Sequence, residues 1–325
     1  MTGETFDRKL LWLAVVPALS YVIVYFILDR LRPLPVPFDI VPSAEFASKA
    51  ADESQRRYIW LGAFALLTVV SIGVSVSGAL SLWRETLRRD RTWVFGLLGF
   101  VSVVVLIASV VPGLGVPWQS YLGADLYKQI FANVPAGDGW TAYDLFLIGK
   151  KLIKGSTILA LAVLAICLIL TLKRPPARLP RVTQAKLTAV AIARQRVYLN
   201  QAALVYVFAV LAMLSWMYWP LPYLTPDSAE AYRKVLSGAA GLQGLGFTLG
   251  VALVYLPPAF ILRNRAEKLA TEILVLGGDE KNVAADIGPL AAHPFDHLRQ
   301  VMTMVLPVIV SLLPALYDAS KVLTK

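Results

Sequence analysis

Apolar runs about as long as a bilayer is thick alternate along this chain with short charged stretches. The clearest are LLWLAVVPALSYVIVYFIL, YIWLGAFALLTVVSIGVSVSGALSLW and TILALAVLAICLILTL. A helix needs roughly 20 mostly apolar residues to cross the hydrocarbon layer, because each residue adds about 1.5 Å. Candidate spans therefore fall at residues 10–28, 59–82, 92–112, 156–172, 201–220, 242–262 and 301–317. The pattern predicts an all-α fold, a polytopic transmembrane helical bundle of 6–7 spans. The range reflects the last segment, which is barely long enough and holds Pro307 and Pro314: a kinked span, a re-entrant hairpin or a surface-lying helix each fits.

Orientation follows from the basic loops. Arg84, Arg88, Arg89 and Arg91 crowd the second linker, and Lys173, Arg174, Arg178, Arg181, Lys186, Arg194 and Arg196 precede the fifth span with no acid among them. Short loops rich in Lys and Arg stay in the cytoplasm. Counting alternately puts the N-terminus in the cytoplasm and residues 29–58, 113–155 and 221–241 outside. The first run follows Arg8 and Lys9 but has no small-residue cleavage pattern after it, so it is expected to be a retained span. Trp12, Trp60, Trp83, Trp93, Trp216 and Trp219 sit at span ends, where amphipathic indoles favour the headgroup level.

The segments between spans carry their own helical signals. Ser43 is placed to cap a helix in which Glu45 and Lys49, Asp52 and Arg56, and Glu53 and Arg57 are acid-first pairs four apart, and no breaker precedes span two. In YDLFLIGKKLIKG, apolar Leu145, Leu147, Ile148 and Leu152 oppose Lys150, Lys151 and Lys154, which predicts a surface helix within an extracytoplasmic loop at 113–155. Thr225 and Pro226 predict a short helix ending near Gly238. Residues 174–200 read as a basic cytoplasmic linker and helix extension. Residues 263–300 read as a cytoplasmic helix that starts after Arg265 and stops at Gly277 and Gly278, followed by a linker. All belong to a single helical membrane domain spanning 1–325.

Composition sharpens the class. Hydrophobic residues make up 57% and charged residues 16% of 325, against roughly 45–50% and 25% in soluble domains. The net charge of +10 therefore points to anionic lipid on the cytoplasmic side rather than to nucleic acid. Cys167 is the sole cysteine, which removes internal disulfides and cysteine-rich metal sites.

Candidate chemistry is sparse. Ser71 with Ser75 and Gly246 with Gly250 have the small-xxx-small spacing that lets helix backbones approach. Pro257 and Pro258 near the end of span six, with Pro307 and Pro314, are expected to kink or stop their helices, and a gating bend is one use of such breaks. Lys186, Arg194 and Arg196 are candidate contacts for lipid or a partner. His293, Asp296 and His297 form an incomplete polar site at a helix start, without the Glu of an HExxH motif. Phosphate-binding glycine loops and nucleophile elbows are missing from the sequence. No predicted span carries a charge well inside it, which argues against ion-coupled transport. No cofactor is implied. The expected function is that of a non-enzymatic, multi-pass protein of the cell membrane. The leading form is a passive, channel-like component acting as a homo-oligomer or within a membrane complex. The alternatives are an anchor or sensor subunit that recruits a soluble cytoplasmic protein, and an interfacial lipid-modifying enzyme.

Overall fold

The computed structural model describes residues 38–85, parts of 91–99, 124–275 except 133 and 138, and 294–323. The described chain is all-α apart from one small hairpin. A 3-10 turn at Ser43–Lys49 leads into α1 (Ala50–Glu85), and α2 (Ala124–Phe131) precedes β1 (Pro135–Gly137) and β2 (Trp140–Thr141). Then follow α3 (Ala142–Leu170), α4 (Arg181–Met217), α5 (Pro226–Val275) and α6 (Pro294–Leu323). Three helices are long and apolar enough to cross a membrane: those containing α1, α4 and α5. The predicted span 10–28 lies outside the described residues, as does most of 92–112, together with Trp12, Trp93 and the Gly277–Gly278 pair.

Several elements that sequence signals separate are continuous. The predicted short helix to Gly238, the sixth span and the helix after Arg265 form the single 50-residue α5. Its buried positions explain the continuity: Ser228, Tyr232, Leu236, Ala240 and Gly244, then Val251, Tyr255, Pro258, Leu262, Ala266, Leu269 and Ile273. Steps of mostly three and four keep one face inward across the whole length. Pro257 and Pro258 do not end α5, and α6 runs through both Pro307 and Pro314, so the last segment is no re-entrant hairpin. Ending the helix there would leave more backbone groups unpaired than the prolines themselves do, which favours carrying it on. The expected surface helix at 143–155 is likewise the first half of α3, opened by Thr141. The Thr141 hydroxyl accepts from the Asp144 N–H at 3.2 Å while Asp144 accepts from the Thr141 N–H at 2.9 Å, a reciprocal capping box. Ser43 is not a cap: Pro42 occupies that position and makes no side-chain cap bond.

Packing sets the helix directions. Trp60 of α1 meets Gly149 of α3, and Gly78 meets Val163 and Cys167, so α1 and α3 run parallel. Tyr206 of α4 packs on Gly250 and Phe247 of α5, while Arg181 at the start of α4 pairs with Glu272 near the end of α5; these two are antiparallel. Gly244 of α5 meets Ser311 and the Pro307 carbonyl of α6. α4 is the central helix, buried on several sides between Ala202 and Met217. In contrast, α1 buries Leu67, Ser71, Val74 and Leu82 and exposes Ile59, Leu66, Val69, Ile72, Val76 and Leu80. A continuous apolar outer face of that kind suits lipid and is costly in water.

Candidate functional site

The bundle has two unlike ends. At the first, α1 and the α4–α5 connection enclose Glu53, which is 1% exposed. Arg57 forks onto its carboxylate through Nε at 2.9 Å and Nη2 at 2.5 Å, and the Trp219 indole N–H donates to Oε1 at 2.8 Å. Charge pairing and hydrogen bonds offset the desolvation of this buried carboxylate. Arg56 donates to the Tyr218 carbonyl at 2.9 Å.

Aromatic rings fill the surrounding space: Trp219 stacks on Trp60 at 5.2 Å and packs on Phe131 at 4.3 Å, and Tyr127, Phe146 and Trp216 pack against one another. The Tyr232 hydroxyl donates to the Met217 carbonyl at 3.0 Å, so Tyr127 is the donor in their 2.7 Å hydroxyl pair. Burial raises both phenols above their ordinary range, and burial with the nearby Glu53 charge pushes Tyr223 up to about 12. The chain before α1 is laid on this end by Val41 N–H to the Tyr223 carbonyl (2.9 Å) and Asp39 N–H to Ser228 Oγ (2.9 Å). Trp60, Trp216 and Trp219 thus correct the expectation of headgroup-facing indoles: all three are core residues. Trp83 is exposed, with Arg91 4.5 Å above its ring.

The other end is polar and basic. Arg265 of α5 donates to the Leu172 and Lys173 carbonyls at 3.0 and 2.9 Å, satisfying groups just past α3 that have no helical partner. Gln195 bonds Thr171 at 3.0 Å inside the bundle, and Gln184 bonds the Leu179 carbonyl at 2.8 Å. The Arg181–Glu272 pair at 3.1 Å closes α4 on α5. Lys186 and Arg194 are exposed on α4.

Next to them, α4 and α6 border a cleft of about 120 Å³. Arg196, Val197, Leu199 and Asn200 line it from α4, and Arg299, Gln300 and Thr303 from α6. A second, apolar cavity of about 20 Å³ lies between α3, α4 and α5, with Leu199 common to both.

Other residues singled out by sequence fall apart from this cleft. Ser71 is buried and Ser75 donates back to the Ser71 carbonyl at 2.7 Å. Gly250 faces the Tyr206 hydroxyl, whereas a side chain at Gly246 would meet nothing within 4 Å. The closest approaches use Gly78, Gly149 and Gly244 instead. Asp296 and His297 fall in the first turn of α6, which opens at Pro294, and His293 lies outside the described residues. Among the described residues no group of three or more His, Cys, Asp or Glu is placed to hold a metal. Arg299 and its meeting with Arg196 carry no local signal, because the two are joined only by the packing of α6 on α4. No protein-family model, curated protein or solved structure matches the chain.

Proposed function

We propose that this chain is a multi-pass protein of the cell membrane, without catalysis of its own, that holds a soluble acidic partner at the cytoplasmic surface. One observation carries the reading: α4 and α5 continue far past a membrane's thickness and are braced together there. The 37 residues of α4 rise about 55 Å and the 50 of α5 about 75 Å, against about 30 Å of hydrocarbon. The braced ends form a stalk presenting Lys186 and Arg194. A basic surface of this kind steers and orients an acidic partner.

The topology belongs to the same proposal: 6–7 spans with the N-terminus in the cytoplasm. Support comes from helix directions, since α1, α3 and α5 run one way and α4 and α6 the other, as strict alternation requires. Arg84, Arg91, Lys173, Arg174, Arg181 and Arg299 all belong to the basic end, which is the cytoplasmic one under the positive-inside rule. The test is affinity purification from native membranes with wild type and K186Q/R194Q. We expect a stoichiometric soluble protein with wild type and its loss from a variant that inserts normally. An equal yield from both would refute the stalk.

A passive, channel-like homo-oligomer is the competing proposal. The open α5 face around Gly246, with exposed Leu242, Leu245 and Leu249, supports association of copies. Steady conductance from purified protein in planar bilayers would favour it over the anchor.

A further inference from the structure

We propose that the cleft between α4 and α6 is a binding site for the phosphate headgroup of an anionic glycerophospholipid. The donors suit a phosphate ester. Arg196 and Arg299 reach the cleft from different helices, and Asn200 and Gln300 add two amides, while the Thr303 hydroxyl lining it donates to the Arg299 carbonyl at 2.9 Å. Guanidinium groups grip phosphate through paired N–H donors, and neutral donors satisfy the remaining oxygens. No acid is among the described lining residues. A volume of about 120 Å³ holds a phosphate group rather than one water, whose share is roughly 30 Å³.

Charge alone fits free phosphate equally well, and the surroundings decide for lipid. Arg196 and Arg299 sit just before the apolar stretches 201–220 and 301–317, the level at which headgroups lie. Val197, Val301 and Met302 beside them are each about half exposed, at 52%, 51% and 50%. A bound molecule that is anionic at the cleft and hydrocarbon beyond it would cover those side chains, which a soluble phosphate leaves in water. Basic pockets between membrane helices on the cytoplasmic side recognise lipid headgroups in this way. The site rests on the membrane reading proposed above, although it needs no soluble partner.

The test is native mass spectrometry of full-length protein released from vesicles of equal phosphatidylglycerol and phosphatidylcholine. Wild type should retain phosphatidylglycerol about tenfold over phosphatidylcholine. R196Q/R299Q should bring the ratio near one, while K186Q/R194Q, with the same charge loss elsewhere on the basic end, should keep it. A folded R196Q/R299Q that keeps the preference overturns the site, as does an equal loss in K186Q/R194Q. Should R196Q/R299Q not fold, N200A/Q300A removes two neutral donors and should lower the ratio about threefold; no change there also overturns it. Glycerol 1-phosphate at millimolar concentration should not displace the lipid, and displacement would reassign the cleft to soluble phosphates. Alkaline carbonate separates the two claims. Wild type stripped from vesicles by carbonate sinks the membrane reading, whereas wild type that stays embedded without lipid preference sinks only the headgroup site.

Discussion

The same long helices are finished in opposite ways at their two ends. Around Glu53 the carboxylate is held by Arg57 and the Trp219 indole, and stacked rings occupy the remaining space, with the buried Trp60 indole N–H left without a hydrogen-bond partner. Around Arg196 the helices are tied by a few long side chains, leaving a cleft bordered by guanidinium and amide groups. A closed end whose buried charge is already paired and hydrogen-bonded offers little for a ligand to gain. On the proposed reading, the aromatic end supplies rigidity and the basic end recognition.

Substitutions at the aromatic end should accordingly cost stability and leave binding alone. The largest effect is expected from Glu53→Gln, which leaves Arg57 without its counter-charge and weakens the acceptor for Trp219. Breaking a buried pair on one side should lower unfolding stability in detergent by about 3 kcal/mol, and an unchanged midpoint would contradict the clasp. Next come two glycines that sequence spacing cannot rank. A side chain at Gly244 would collide with Ser311 Oγ and stand 3.0 Å from the Pro307 carbonyl, so Gly244→Val should cost about 2 kcal/mol. Gly246→Ala meets open space and should raise stability by about 0.5 kcal/mol through helix propensity. Equal effects at both positions would show that α5 does not cross α6 at Gly244.

Between these two in size is the start of α3, where Thr141→Ala removes the cap and should cost about 1 kcal/mol. Its pH dependence has a defined sign. Hydrogen bonds from Thr141 hold Asp144 below the usual carboxylate range, so its contribution is present above that range and lost as pH falls through the lowered value. The difference between wild type and D144N should therefore shrink on acidification, and a difference that grows would reverse the assignment.

Hydropathy alone located the three helices long and apolar enough to cross a membrane, since the predicted stretches 59–82, 201–220 and 242–262 fall within α1, α4 and α5 or their immediate ends. Where helices stop was less legible. Gly238 and Pro257 are stop signals in a local reading, yet the inward stripe from Ser228 to Ile273 carries α5 through both. Neighbouring packing outweighs a local preference worth about 1 kcal/mol at the glycine. Glu53 and Arg57 had the same spacing as Asp52 and Arg56. Only Trp219, 166 positions away, makes the first pair a buried clasp, and no local pattern reports that. The meeting of Arg196 with Arg299 was hidden for the same reason.

The unbroken α5 also makes a lever of the molecule. Gly244 marks its tight crossing with α6, and Val275 lies 31 residues further on, roughly 46 Å along the axis. Tilting the rod by about 5° at that fulcrum would sweep its far tip through about 4 Å, by the same rise per residue. A disturbance near Tyr232 would thus arrive at Glu272 as a displacement, carried by the stiffness of one continuous backbone.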